Sequence, residues 1–250
     1  MQPVDSRQRF SATVDAYDRF RPGYPDEVVD WLVALAGLTA GARVVDLGCG
    51  TGISSRLFAA RGFDVVGVEP NDSMRERAEA KGGGVRYVRG EAVATGQPDA
   101  SARLVIAAQA FHWFDAPLTM RELARILVPG GRAAAFWNVR ASSAFQDGYE
   151  ALLVKHSSEY RSIRKFDNTE QAIRDFPGAL DVREAEFTNP RHLDHEALVG
   201  LASSSSYIVH GVDDRAGFDR ELAALFDAHV GADGTVDFAT RTNVIAWRLH

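Results

Sequence analysis

The chain reads as an α/β protein with a doubly wound, mostly parallel sheet and helices on both faces. Three observations predict this. Arg43-Val-Val-Asp-Leu47 is an apolar run that enters a glycine turn, Gly48-Cys-Gly-Thr-Gly52, and a helical pattern follows at once, with Ile53, Leu57 and Ala60 on one face. Strand and helix patterns alternate as far as Asn138, which implies right-handed parallel crossovers. Leu104-Val-Ile-Ala-Ala108 is apolar throughout, the mark of a strand covered on both faces.

In chain order, residues 1–24 form a polar and aromatic arm, with Phe10, Tyr17, Phe20 and Tyr24 among Arg7, Arg9, Arg19 and Arg21. Pro25 opens a helix whose Val28, Trp31, Leu32 and Leu35 share a face. After the first strand and its helix, Asp64-Val-Val-Gly-Val68 is a second strand ending at Glu69. Asn71-Asp72-Ser73 is a helix-start cluster, and Met74 to Ala80 follows as helix before Gly82-Gly83-Gly84. Val85 to Val88 is a third strand, and Gly90-Glu91-Ala92 the loop after it. The fourth strand runs through Gln109 into Ala110-Phe-His-Trp-Phe-Asp115. Pro117 to Leu127 is helical, Pro129-Gly130-Gly131 stops it, and Arg132 to Asn138 is a fifth strand.

Residues 141–181 break the alternation. Phe145, Tyr149, Leu152 and Leu153 have helical spacing, and such an insertion is where a substrate lid would lie. Val182 to Asn189 returns to strand, helices follow over Leu193 to Leu201 and Phe218 to Val230, and a terminal strand closes the chain. The expected organisation is therefore an arm plus core over 1–140, a helical lid over 141–181, and a C-terminal part of the same core with a helical cap over 182–250.

Composition narrows the function. A chain of 250 residues with 46% hydrophobic and 25% charged residues can bury a good core. The formal charge of −6 argues against a nucleic-acid partner, and no apolar run is long enough for a membrane span. No secretory signal is expected in residues 1–30, and a cytoplasmic location is expected. The single cysteine, Cys49, forms no internal disulfide and reads as a small space-filler in the turn. His192 and His195 flank Asp194 with no cysteine cluster or H-E-x-x-H motif, so no metal is expected. No G-x-S-x-G elbow supports a serine hydrolase.

The glycine spacing selects a ligand. Dinucleotide sites use G-x-G-x-x-G to bring a pyrophosphate onto a helix start. Here the spacing is G-x-G-x-G, and Asp46 stands two residues before the first glycine. A carboxylate there repels a pyrophosphate and suits an ammonium group. Glu69 at the next strand end can accept both hydroxyls of a ribose, at roughly 1.5–3 kcal/mol net for a hydrogen bond to a charged group. Together they fit adenosine carrying an amino-acid tail.

Val-Val-Asp-Leu-Gly-Cys-Gly-Thr-Gly followed by Val-Gly-Val-Glu-Pro resembles the first two motifs of the class I S-adenosylmethionine-dependent methyltransferases. Tyr17-Asp-Arg-Phe-Arg-Pro-Gly-Tyr-Pro25 and Ala110-Phe-His-Trp-Phe114 resemble a subgroup related to trans-aconitate methyltransferase. The resemblance is good over residues 10–140 and loose beyond. It implies a Rossmann-like sheet of seven strands, the last antiparallel and inserted beside the fifth. It implies S-adenosylmethionine as cofactor, with S-adenosylhomocysteine as product. Asp46, Gly48, Cys49, Gly50, Thr51 and Gly52 are then expected at its methionine part, Glu69, Pro70 and Met74 at the ribose side, and Glu91 and Ala92 at the adenine. Tyr17 and Arg21 are expected to close over the methionine carboxylate, and Gln109 and Trp113 to border the methyl-donor end.

Methyl transfer is a direct displacement in which orientation supplies about 7–11 kcal/mol, and a base is needed only for an acceptor that holds its proton. His112 is the candidate catalytic residue, as base or as orienting donor. Tyr24, His112, Trp113, Trp137, Asn138 and Tyr207 are candidates to line the acceptor site. The expected acceptor is a small molecule (a carboxylate, phenol or natural-product intermediate), and the expected state a monomer or homodimer. The alternatives are a tRNA or protein methyltransferase, a nicotinamide-dependent dehydrogenase, and a noncatalytic protein that holds S-adenosylmethionine.

Overall fold

The structure is a computed structural model that describes residues 18–163 and 169–249. In chain order the elements are α1 (Asp26–Ala36), β1 (Arg43–Leu47), α2 (Ile53–Ala59), β2 (Asp64–Val68), α3 (Asp72–Lys81), β3 (Arg86–Val88), β4 (Ala102–Ala108), α4 (Ala116–Ile126) and β5 (Leu127–Arg140). Then come α5 (Ala144–His156), α6 (Ser158–Ile163), α7 (Thr169–Arg174), β6 (Ala179–Asn189), β7 (His192–Leu193), α8 (His195–Ser203), α9 (Ser206–Val209), α10 (Arg215–His229), β8 (Val236–Asp237) and β9 (Thr240–Leu249).

Seven strands make one sheet in the order β3-β2-β1-β4-β5-β9-β6. β1 to β5 pair in parallel, and β9 runs antiparallel between β5 and β6. The strand order reverses between β1 and β4, so the turn after β1 and the loop after β4 open into the same crevice. This is the Rossmann-like sheet that the motifs predict.

Alternating side chains feed two apolar layers. On one face Val44, Val65, Leu104, Ile106 and Phe136 pack under Val28, Val29 and Leu32 of α1 and Phe58 of α2. On the other, Val45, Leu47, Val66, Val105 and Ala135 pack with Met120, Leu123 and Ile126 of α4. Each of these large side chains contributes roughly 1.5–3 kcal/mol by leaving water. Local chemistry sets the helix ends. Asn71 accepts from the Met74 N–H at 3.0 Å, and Asp115 accepts from the Leu118 N–H at 3.0 Å. A third cluster lies beyond the sheet, where Phe145, Tyr149 and Leu153 of α5 pack with Leu198 and Leu201 of α8 and Phe218, Leu222 and Phe226 of α10.

Two boundaries differ from the sequence expectation. β5 starts at Leu127, ahead of Arg132, because Leu127 pairs with Ala102, and the Pro-Gly-Gly segment bulges out of β5 before pairing resumes at Arg132 with Leu104. β6 starts at Ala179, ahead of Val182, through an irregularity at Asp181, whose φ is +48°.

Candidate functional site

The glycine turn is tied to the end of β2. The Gly48 and Cys49 N–H groups both donate to the Val68 carbonyl, at 2.9 and 3.3 Å. The Gly50 N–H donates to Glu69 Oε2 at 2.8 Å, and the Asn71 N–H to Glu69 Oε1 at 2.9 Å. Each carboxylate oxygen keeps a further lone pair for a hydroxyl. Burial raises the Glu69 carboxyl above its ordinary range, against the two backbone bonds that hold it down. Gly50, at φ +56°, would place a Cβ in open space, so its backbone lies open to an approaching ligand. Gly52, at φ +77°, has no such room, since a Cβ there would strike the Tyr87 hydroxyl.

Asp46 is fully buried in β1. Its Oδ2 accepts from the Ser54 and Ser55 hydroxyls, each at 2.6 Å, at the start of α2. Its Oδ1 has no hydrogen-bond partner, and neither does the buried Thr51 Oγ1. Burial pushes the Asp46 carboxyl up to about 6, against the two serine bonds and with a further rise from Glu69. Burial, Asp46 and Glu69 also push the Cys49 thiol well up, which leaves it unreactive. Two orphaned buried oxygens beside an open glycine backbone fit the amino-acid end of S-adenosylmethionine, and Glu69 fits its ribose.

Residues 18–25 strap this turn. Asp18 pairs with Arg77 at 2.9 Å and Lys81 at 3.0 Å on α3, and Arg19 pairs with Glu196 at 2.7 Å on α8. The Gly23 carbonyl accepts from Asn138 at 3.1 Å and Asn189 at 3.0 Å. Tyr24 packs edge-on against Phe136, with ring centroids 4.8 Å apart. Arg21, Pro22 and Tyr24 face Gly48, Thr51, Ser54 and Gln109 across a space of about 30 Å³, room for one water.

On the other side of Gln109 lies a chamber of about 910 Å³. Gln109 borders both spaces and has φ +56°, a strained value for a residue with a side chain. His112, Trp137, Asn138 and Tyr207 line the chamber. The Trp137 indole N–H donates to His112 Nδ1 at 3.4 Å. The Asn138 carboxamide is engaged with the strap, accepting from Thr242 at 2.6 Å and Asn189 at 3.2 Å while donating to Gly23.

Several chamber residues carry no motif and were not anticipated from the sequence. Arg140, at the end of β5, bonds to Glu150 and Tyr160, which bond to each other. Burial alone would depress the Arg140 guanidinium, but Tyr207, Tyr160 and Glu150 together hold it above its ordinary value, so it stays charged. Burial keeps the Tyr160 hydroxyl protonated, pushed up to about 12. Gln146 donates to the Ala239 carbonyl at 3.1 Å, which leaves its buried Oε1 without a partner, and Asn243 Oδ1 is also unpartnered. The one usable signal was position, since Arg140 stands two residues beyond Asn138 at a strand's carboxyl end.

Other expected site residues lie apart from both spaces. Trp113 is 37% exposed, its ring 4.9 Å from that of His112. Met74 is buried and Pro70 half-buried under the end of β2. Glu91 is exposed, its backbone bridged to Ala94, and Ala92 is half-buried. Tyr17 lies outside the described residues.

The model of a methyltransferase domain family matches residues 45–135, the stretch from β1 into β5. An uncharacterized methyltransferase of Mycobacterium tuberculosis is 40% identical over 136 residues, which span 54% of this chain and 54% of that protein. A methyltransferase-like protein of Schizosaccharomyces pombe, also uncharacterized, is 32% identical over 203 residues, 80% of this chain and 78% of that one. The chain belongs to the class I S-adenosylmethionine-dependent methyltransferases. The match spans about half the length of the mycobacterial relatives of this methyltransferase.

Among solved structures, a proposed type II methyltransferase of Anaeromyxobacter dehalogenans is 26% identical to this methyltransferase. It superimposes with a TM-score of 0.63 over 91% of this chain and 97% of its own. Phosphoethanolamine N-methyltransferase 2 of Haemonchus contortus, solved with S-adenosylhomocysteine and phosphomonomethylethanolamine, shares the fold at 15% identity. Its TM-score is 0.54, over 99% of this chain and 61% of that one.

Proposed function

We propose that this methyltransferase transfers a methyl group from S-adenosylmethionine to a small anionic acceptor held in the chamber. The observation that carries the reading is the meeting of the two spaces at Gln109, with the glycine turn on one side and Arg140 on the other. When bound, S-adenosylmethionine supplies a methyl group on a positively charged sulfur.

The chain's own residues then bind and orient. Asp46 Oδ1 and Thr51 Oγ1 are placed for the methionine ammonium, and Glu69 for the ribose hydroxyls. Arg140 is placed for the acceptor's negative charge, with the Tyr160 hydroxyl beside it. Gln146 Oε1 and Asn243 Oδ1 are acceptors only, so they suit a hydroxyl or N–H on the same molecule. Gln109 borders both spaces and His112 lines the chamber three residues on, so the attacking oxygen is assigned to their side. An ionised acceptor attacks without a base, so positioning is the main task of these residues.

Incubation with radiolabelled S-adenosylmethionine and a panel of hydroxylated carboxylic acids, phenols and amines tests this. Label transfer to acids is expected, falling at least tenfold in Arg140→Met. Transfer only to amines, or to RNA or protein added in parallel, contradicts the proposal.

A further inference from the structure

We infer that Trp137 is a positioning residue that fixes the tautomer of His112, so that His112 meets the acceptor as a hydrogen-bond donor and does not serve as a base. The inference rests on the methyl-transfer reading above for its consequence, and on geometry for its substance.

Trp137 lies on β5, 9% exposed, with its indole aimed across the crevice at the segment after β4. Its Nε1–H reaches His112 Nδ1 at 3.4 Å. An indole nitrogen is a donor only, so the bond requires a lone pair on Nδ1. The imidazole is then neutral with its proton on Nε2, and Nε2 can donate but cannot accept. A base needs a lone pair on the nitrogen facing its substrate, and Trp137 occupies the one lone pair that neutral His112 has. The ring is held from a second side by Trp113, tilted 45° to it.

The indole is itself fixed. Trp137 pairs with Asn243 on β9 in the antiparallel register, and its neighbours Phe136 and Ala135 are buried in the two sheet layers. A rigid strand therefore holds the donor, while His112 sits on a short helical turn, Phe111–Trp113. This assigns Trp137 a role through His112 in place of direct acceptor contact, and it selects acceptors that present an oxygen lone pair and are ionised before they bind.

The test is nitrogen NMR of protein labelled with ¹⁵N in its histidine rings, at a pH where imidazole is neutral. The His112 signals are assigned by their loss in His112→Gln. In the wild type, Nδ1 is expected bare and Nε2 protonated. In Trp137→Phe, which keeps the ring and removes the donor, the Nδ1-protonated form should rise about 2- to 10-fold, the effect of one ordinary net hydrogen bond. A wild-type Nδ1–H, or a tautomer ratio unchanged by Trp137→Phe, overturns the inference. The wild-type measurement needs no variant, so misfolding of Trp137→Phe cannot shelter it. S-adenosylhomocysteine affinity, measured on the same samples, should be unchanged in Trp137→Phe. Failure of the wild type to bind it would sink the methyl-transfer reading while leaving the tautomer result intact.

Discussion

Asp46 shows what a buried carboxylate costs a fold. Its carboxyl is raised from 3.8 to about 6, so at pH 7 it is ionised in the native state at the expense of stability. The unfolded chain binds fewer protons than the native one between about pH 4 and 6, so this residue's contribution falls as pH rises through that window. A rise of that size corresponds to about 3 kcal/mol at most. Asp46→Asn, which keeps an oxygen for Ser54 and Ser55, should therefore stabilise the ligand-free protein at pH 7.5 by about 1–3 kcal/mol and much less at pH 4. Urea unfolding at both pH values checks this, and an equal effect at both would refute the account. The same substitution should weaken S-adenosylhomocysteine binding at least tenfold if, as proposed, the orphaned Oδ1 takes the ammonium. Glu69→Ala should weaken it as well, by about 10- to 150-fold for lost bonds of roughly 1.5–3 kcal/mol. Calorimetry would read both.

At the scale of elements, the strap over residues 18–25 covers the glycine turn. The space between it and the glycine turn is small, about 30 Å³, and on the proposed reading the amino-acid end of the cofactor is expected to displace the strap as it enters. Its central fastening is the Gly23 carbonyl, held by Asn138 and Asn189. Asn189→Ala removes one of those donors at a half-exposed site, and should speed S-adenosylhomocysteine dissociation several-fold in stopped-flow with little change in unfolding midpoint. Unchanged dissociation would show that the strap does not gate. Elements were legible in the sequence where their signals are local. The turn after β1, Glu69 at the end of β2 and the Asp115 cap of α4 are all marked by neighbours in the chain. Asp115→Ala should accordingly cost about 1 kcal/mol of stability, read by urea unfolding. Pro129-Gly130-Gly131 does turn, with Gly130 at φ +74°, but as a bulge inside β5, because the distant pairing of Leu127 with Ala102 carries no local signal.

For the whole molecule, the sheet and the chamber differ in how they are encoded. The parallel core repeats a short pattern of strand, turn and helix, each readable within about a dozen residues, so its order follows from handedness rules. The chamber assembles Arg21, His112, Arg140, Gln146, Tyr207 and Asn243, which are spread over nearly the whole described chain. They converge because β9 inserts antiparallel beside β5 and sets Asn243 opposite Trp137. No spacing in the sequence records that pairing. Hence the glycine turn and the carboxylates at the ends of β1 and β2 carry local signals, while of the chamber lining only the residues just after β4 and β5 and Tyr207 were marked in the sequence. On the proposed reading, the glycine turn with Asp46 and Glu69 forms a site for S-adenosylmethionine. Calorimetric titration of the purified protein with S-adenosylhomocysteine, with NADH in a parallel cell, tests it most directly. Saturable binding of S-adenosylhomocysteine alone, weakening as pH falls through about 6 as Asp46 protonates, is the predicted result. Binding of NADH alone, or of neither ligand, would contradict it.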